Sequence, residues 1–123
     1  MRRTRIAWAP RPTKTSKYRA APCEVDGRRF ASKKEARRYL ELRLLEQAGE
    51  IAALQCQPRF PLFAQGTDGR PALVAFYVGD FKYERDGRLV VEDVKSPVTR
   101  RLSTYRLKKR LVEANYNFQV QEV

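Results

Sequence analysis

Residues Phe76 to Ser96 read FYVGDFKYERDGRLVVEDVKS, and this stretch decides the fold. Asp86-Gly87 stands between two runs of alternating apolar residues. An Asp-Gly pair in that setting favours a type I′ turn, whose two central positions both need positive φ. The stretch therefore predicts a β-hairpin with a two-residue loop. In that register Asp80 on the first strand lies directly opposite Asp93 on the second.

The predicted hairpin places charged groups close together. Side chains alternate between the two faces of a strand, so one face carries Val78, Asp80 and Lys82 together with Val91, Asp93 and Lys95. Two directly opposed carboxylates repel each other by roughly 3 kcal/mol at ~5 Å and an effective dielectric constant of about 20. A shared proton or a divalent cation would offset that repulsion, since carboxylate oxygens are the hard ligands that magnesium prefers. Lys95 favours the cation, because it could hold a water or a phosphate oxygen beside the metal. The alternative role for Lys95 is a salt bridge to Asp93 or Glu92.

The composition is that of a small basic protein without histidine. The 123 residues fit one domain with one modest core, and 42% of them are hydrophobic. The formal net charge is +12, which is typical of a protein that binds nucleic acid. The absence of histidine excludes Ser-His-Asp and Cys-His catalysis and every nuclease with a histidine base, so carboxylates and lysine would carry any chemistry. Cys23 and Cys56 lack CxxC spacing, and neither a disulfide framework nor a zinc site is predicted.

Residues 1–22 predict a flexible basic arm, because prolines interrupt them and no acidic residue precedes Glu24. Seven of the twelve net positive charges lie in this arm, namely Arg2, Arg3, Arg5, Arg11, Lys14, Lys17 and Arg19. We expect Arg2, Arg3 and Arg5 to contact nucleic acid. No apolar run approaches the ~20 residues of a membrane span, and no apolar segment follows the arginines as in a signal peptide. A cytoplasmic protein without a membrane partner is therefore expected.

Residues 23–123 predict one domain, and periodicity alone gives an α/β or α+β class with a central hairpin. A short hairpin or turn is expected over Glu24 to Phe30. A well-buried helix is expected from Ser32 to about Ala48, with Gly49 ending it. Pro58 and Pro61 predict that Ile51 to Phe63 is an edge or bent strand, because proline cannot donate to a central ladder. Leu73 to Tyr83 predicts one long strand, and Asn117 to Val123 a last strand.

Val98 to Asn115 predicts a helix with a strongly basic composition. Five of its cations are candidate nucleic-acid contacts, namely Arg100, Arg101, Arg106, Lys108 and Lys109. A solvated basic face is the alternative, since such faces are common on soluble helices. The lopsided charge favours contacts to phosphate.

Gly79-Asp80 followed by Asp93-Val94-Lys95 resembles the PD-(D/E)XK signature of restriction-endonuclease-like nucleases. From Tyr18 to the C-terminus, the chain also resembles a small phage and prophage family of nuclease-like proteins. The likeness rests on the segments SKKEA, DFKY and EDVK, which are Ser32–Ala36, Asp80–Tyr83 and Glu92–Lys95. Gly79 stands where many relatives have proline, and Ser96 where glycine is expected.

The resemblance implies a restriction-endonuclease-like αβββαβ core, with a mixed central sheet flanked by helices. It implies Mg²⁺ or Mn²⁺ as cofactor, and Asp80, Asp93, Lys95 and Glu35 as catalytic residues. Asp80, Asp93 and Glu35 would be the metal ligands. Glu35 has a second interpretation, because Ser32 and Glu35 have the spacing of a helix capping box. The two roles exclude each other geometrically, and the resemblance favours the metal.

These observations predict a metal-dependent endonuclease that hydrolyses phosphodiester bonds in DNA, with branched or forked DNA as a candidate substrate. Cleavage of both strands would need two active sites and hence a homodimer. Glu92 falls on the opposite face of its strand and is excluded as a ligand, unless a bulge swaps the faces. The alternatives are a non-catalytic nucleic-acid-binding protein that keeps the nuclease fold and a phage-encoded protein that binds an acidic host partner.

Overall fold

The structure is a computed structural model that describes residues 22–123. It forms two compact units, of which the first ends at Ala36 and the second is Arg37–Val123. The predicted basic arm lies outside the described residues except for Pro22, so its contacts and its boundary stay predictions. No helix within residues 22–123 is both long and apolar enough to cross a membrane.

The first unit contains the short hairpin that the sequence predicts. Strand β1 (Cys23–Val25) pairs antiparallel with β2 (Arg28–Phe30). Asp26 and Gly27 form the turn with φ of 54° and 75°, as a type I′ turn requires. The hairpin prediction is confirmed.

Helix α1 (Lys33–Gln47) begins and ends where the sequence predicts. The Ser32 hydroxyl accepts a hydrogen bond from the Glu35 amide at 3.0 Å, which satisfies one of the unpaired amides of the first turn. Gly49 follows the helix with a φ of 80°. The prediction of a well-buried helix is only partly right. Tyr39 and Leu42 are buried, but Leu40 and Leu44 are 44% and 66% exposed.

Two bent strands follow α1. The first consists of β3 (Ala52–Cys56) and β4 (Arg59–Gln65), and the second of β5 (Pro71–Val78) and β6 (Phe81–Arg85). β4 pairs with β5, while β3 is the edge of a four-stranded sheet in the order β3-β6-β7-β8. The bend predicted around Pro58 is confirmed. The single strand predicted from Leu73 to Tyr83 is wrong, because Gly79 and Asp80 leave the ladder.

Backbone hydrogen bonds hold the two bends against each other. The Gln57 amide donates to the Asp80 carbonyl at 2.9 Å, and the Gly79 amide donates to the Pro58 carbonyl at 3.0 Å. Gly79 is buried, and a β-carbon placed there would lie 3.2 Å from Val91 Cγ1. Gly79 is therefore needed for close approach of the two strands.

The central hairpin pairs β6 with β7 (Arg88–Asp93) in the predicted register, from Arg85↔Arg88 to Phe81↔Glu92. Asp86 and Gly87 have φ of 54° and 74°, which confirms the type I′ turn. The ladder ends at Phe81, one residue short of the predicted pair of Asp80 with Asp93. The Asp80 amide donates instead to the Glu92 carbonyl at 3.0 Å. The prediction that Asp80 lies directly opposite Asp93 is therefore wrong, although both residues lie at the same end of the hairpin.

The basic segment after the hairpin forms two helices, so the prediction of one helix is wrong. They are α2 (Pro97–Arg100) and α3 (Ser103–Tyr116). Ser96 caps α2, and Leu102 between the helices is extended, with φ of −66° and ψ of 129°. The last strand, β8 (Val120–Glu122), is confirmed and runs parallel to β7.

The four-stranded sheet of the second unit is mixed and buried on both faces. On one face the core consists of Phe60, Leu62, Tyr77, Val91, Val112 and Val120, and Val112 belongs to α3. On the other face Tyr39 of α1 stacks on Phe81 with ring centroids 6.4 Å apart. The chain therefore has an α+β fold with a mixed sheet, which confirms the coarse class predicted from the sequence.

Candidate functional site

Asp93, the last residue of β7, is a buried carboxylate with few compensating contacts. It is 1% exposed, and neither of its oxygens accepts a hydrogen bond from any group in residues 22–123. Lys95 Nζ lies 3.4 Å from Asp93 Oδ1, so the alternative predicted for Lys95, a salt bridge to Asp93, is present. Burial raises the pKa of Asp93 to about 6, the charge of Lys95 lowers it in part, and Glu122 raises it. An ionised carboxylate in this position lacks the donors that normally offset its burial.

Asp80 lies in the bend between β5 and β6, where its side chain turns towards the end of β7. Asp80 Oδ2 accepts a hydrogen bond at 2.7 Å from the amide of Val94, the residue between Asp93 and Lys95 in the sequence. Burial raises the pKa of Asp80. The bond from Val94 and the charge of Lys95 oppose that shift, and the charge of Glu92 adds to it. The structure thus brings Asp80, Asp93 and Lys95 together, as the sequence predicts, through a side-chain contact rather than a ladder pair.

Lys95 is held by groups that the sequence analysis missed. Its Nζ lies 5.2 Å from the ring centroid of Tyr105, within the range of a cation–π contact. The Tyr105 hydroxyl donates to Glu122 Oε2 at 2.7 Å, and Arg100 Nε lies 3.9 Å from Glu122 Oε1. Burial and the bond to Glu122 raise the pKa of Tyr105, which stays a neutral donor. No local pattern indicates this cluster, because Tyr105 looks like one more apolar position of a helix.

Glu92 has a structural role on the opposite face of β7. Arg38 of α1 binds its carboxylate with Nε at 2.8 Å from Oε1 and Nη2 at 2.6 Å from Oε2, and the Tyr83 hydroxyl donates to Oε2. Burial and the bond to Glu92 raise the pKa of Tyr83 to about 12. The structure places no register shift between β6 and β7, so the exclusion of Glu92 as a ligand stands.

The remaining predicted site residues divide into three groups. Glu35 is a buried residue of the first α1 turn whose amide is bound by Ser32, and its role as a third metal ligand stays a prediction. Arg2, Arg3 and Arg5 lie outside the described residues. The predicted basic contacts lie at three places, with Arg100 on α2, Arg101 between the helices, and Arg106, Lys108 and Lys109 on α3.

Asp80 and Asp93 are the residues that could hold a divalent cation. Within residues 22–123 no group of three or more acidic or thiol side chains is placed to hold a metal ion. Mg²⁺, however, is often held by one or two carboxylates, with water and substrate phosphates completing its coordination. The two Asp93 oxygens without hydrogen-bond donors are the observation that favours a cation here.

Most of the chain is similar to a known protein family. The model of a family described as protein of unknown function (DUF1064) matches residues 15–122. No curated protein and no solved structure matches the chain.

Proposed function

The chain belongs to the DUF1064 family of unknown function, and from its own residues we propose a metal-dependent endonuclease that hydrolyses phosphodiester bonds in DNA. The observation that carries the proposal is the buried Asp93 carboxylate, which accepts no hydrogen bond within residues 22–123 and lies beside Asp80 and Lys95. A carboxylate that is buried without donors lowers stability unless something else stabilises its charge. Lys95 offsets part of that cost, and a bound divalent cation would stabilise the rest of the charge.

The order of the elements supports the likeness to PD-(D/E)XK nucleases. If β3 with β4 and β5 with β6 are each counted as one bent strand, the chain from α1 onwards has the order αβββαβ. The same order also requires that α2 and α3 are counted as one broken helix. The candidate residues lie at one end of the central hairpin, with Asp80 in the bend before β6, Asp93 at the end of β7 and Lys95 just beyond it.

The proposed chemistry assigns separate roles to the three groups. Asp80 and Asp93 would hold Mg²⁺ or Mn²⁺, and a bound cation of this kind polarises a phosphate and lowers the pKa of a water. Lys95 presents an ammonium group beside Asp93, where it can orient the attacking water or stabilise charge that develops on the phosphate. Tyr105 holds Lys95 in place through its ring and is a positioning residue.

The test is cleavage of duplex, forked and four-way DNA with and without MgCl₂. Asp80→Asn and Asp93→Asn are expected to abolish Mg²⁺-dependent cleavage, while DNA affinity stays equal or rises because a negative charge is removed beside phosphate. Asp86→Asn is the matched control. It removes one charge from the same hairpin at an exposed turn position that asparagine tolerates.

Cleavage at the wild-type rate by either site variant, in a preparation free of contaminating nuclease, would overturn the assignment. Equal loss of activity in Asp86→Asn would show that the effect is not specific to the site. DNA binding without cleavage by the wild-type protein would favour the non-catalytic alternative.

A further inference from the structure

Glu122 of β8 is the acid that the sheet places directly beside Asp93. The parallel ladder of β7 and β8 pairs Val91 with Val120 and Asp93 with Glu122. Val91 and Val120 both lie in the core that α3 covers. Because side chains return to the same face of a strand every second residue, Asp93 and Glu122 lie on that face as well. The carboxylate that faces Asp93 across a ladder is therefore that of Glu122 and not that of Asp80.

The Glu122 carboxylate has two partners and free acceptor positions. The Tyr105 hydroxyl donates to Oε2 at 2.7 Å, and Arg100 Nε lies 3.9 Å from Oε1, which is too far for a hydrogen bond. A carboxylate offers about four acceptor positions, and Tyr105 occupies one of them. The Glu122 side chain is 28% exposed, so water can reach it. Glu122 can therefore accept hydrogen bonds from further donors.

The charges at this end of the sheet do not balance. Asp80, Asp93 and Glu122 carry three negative charges, and Lys95 and Arg100 carry two positive ones. These five groups sum to −1 in a chain whose formal net charge is +12. A second carboxylate beside the buried Asp93, whose oxygens accept no hydrogen bond within residues 22–123, makes the ionised form of both more costly.

The contacts of Glu122 do not by themselves explain its charge. A glutamine at this position could accept the hydrogen bond from Tyr105 without adding a negative charge beside Asp93. The ion pair with Arg100 offsets the cost only in part, because it is long and the Arg100 side chain is 41% exposed. The charge of Glu122 is therefore better explained by a cation near Asp93.

Mg²⁺ that is held by one or two carboxylates keeps several of its water molecules, and each of these can donate a hydrogen bond. Groups that bind the ligands of a metal from outside contribute strongly to its affinity. We propose that Glu122 is a further acid of the candidate cation site and accepts hydrogen bonds from the water that the cation keeps. Glu122 is not a direct ligand in this assignment, which agrees with the lack of a three-acid group within residues 22–123. The inference rests on the proposed function and adds a residue that the sequence does not predict.

The test is the affinity of the full chain for MnCl₂ without DNA, measured by calorimetric titration. Glu122→Gln keeps an acceptor for Tyr105 but removes the charge, and it should weaken the affinity by roughly 10–100-fold. Asp93→Asn should abolish binding. Glu113→Gln is the matched control, because Glu113 also joins α3 to β8, through the Val120 amide at 2.9 Å, but lies roughly 12 Å further along the helix than Tyr105. It should leave the affinity unchanged.

Tyr105→Phe separates the charge of Glu122 from its hydrogen bond. The variant loses the hydroxyl that binds Glu122, but it keeps the ring against Lys95 and the charge of Glu122. It should therefore weaken Mn²⁺ affinity less than Glu122→Gln does. Equal losses in the two variants would mean that Glu122 acts only by holding Tyr105, and would overturn the inference. Melting temperatures in EDTA show whether each variant is folded.

The remaining outcomes separate this inference from the nuclease proposal. Wild-type Mn²⁺ affinity in Glu122→Gln, together with a loss in Asp93→Asn, would overturn the inference and leave the nuclease proposal intact. A loss in Glu122→Gln, with no cleavage of any DNA by the wild-type protein in MgCl₂, would support the inference and sink the nuclease proposal. A wild-type protein that binds no Mn²⁺ would overturn the inference, while the cleavage assay decides the nuclease proposal separately.

Discussion

Asp93 combines deep burial with a raised pKa, which makes stability depend on pH. The pKa of about 6 in the folded protein lies above the ordinary value of 3.8, so the folded state holds its proton to higher pH than the unfolded state does. The contribution of Asp93 to stability is therefore fully present below pH 4 and is lost as pH rises through about 6. The pKa of Asp80 is raised as well and acts in the same direction.

Because the pKa of Asp93 is raised, we expect the metal-free protein to be less stable at pH 8 than at pH 4.5. Asp93→Asn should raise the free energy of unfolding at pH 8 by up to about 3 kcal/mol and flatten the dependence on pH. MgCl₂ should raise the melting temperature of the wild-type protein at pH 8 but not that of the variant. Urea denaturation at both pH values in EDTA, with Asp86→Asn as control, provides the measurement. A wild-type stability that rises from pH 4.5 to 8, with no gain in Asp93→Asn, would contradict the buried-charge argument.

Gly79 allows two strands to approach at the bend that places Asp80. A β-carbon at this position would meet Val91 Cγ1 at 3.2 Å and Pro58 Cγ and Tyr77 Cε2 at 3.5 Å. Gly79→Ala is therefore expected to lower stability by about 1–3 kcal/mol through overpacking. Gly79→Pro should lower it further, since it also removes the hydrogen bond from the Gly79 amide to Pro58.

A double-mutant cycle with Val91→Ala tests this explanation. If the contact with Val91 causes the loss, Gly79→Ala should destabilise the Val91→Ala background less than the wild type, with a coupling of roughly 0.5–3 kcal/mol. Chemical denaturation gives all four free energies. Additive effects would mean that the contact with Val91 is not the cause and that the glycine is needed for another contact, such as those with Pro58 and Tyr77.

The elements that sequence predicts best are those fixed by neighbouring residues. Asp86-Gly87 and Asp26-Gly27 specify their turns, and Ser32 specifies the start of α1, because each acts through local backbone geometry. The break at Gly79 and Asp80 has no such local signal. It depends on Gln57 and Pro58 across the ladder.

The candidate site also contains residues that the sequence can predict and residues that it cannot. The hairpin register by itself is enough to place Asp80, Asp93 and Lys95 near one another. Tyr105 and Glu122 join them only through the packing of α3 and the parallel pairing of β8, both far along the chain. Periodicity cannot reveal these contacts, because Tyr105 occupies one of the regularly spaced apolar positions of its helix. The split of α2 from α3 escapes prediction for a related reason, since Leu102 looks helical in composition but is extended.

Most of the net positive charge of the whole molecule, although not most of its basic residues, lies in residues 1–22. Seven of the twelve net charges lie in residues 1–22, and deletion of residues 1–16 removes five of them, namely Arg2, Arg3, Arg5, Arg11 and Lys14. Each phosphate contact to duplex DNA contributes about −0.9 to the slope of log affinity against log salt concentration. The deletion should therefore weaken binding to all DNA sequences alike and flatten that slope by up to about 4.5 units.

The chemical step should not change, because Asp80, Asp93 and Lys95 lie in the remaining domain. At saturating DNA the truncated protein is expected to cleave at nearly the full-length rate, and only the concentration needed for saturation should rise. Single-turnover cleavage and salt-dependent anisotropy measure the two effects separately. A full-length variant with Arg2, Arg3 and Arg5 replaced by glutamine keeps the chain length and should show an intermediate slope. If the slope stays unchanged in both proteins, the arm does not contact DNA, and the positive charge that guides binding must reside in the domain itself.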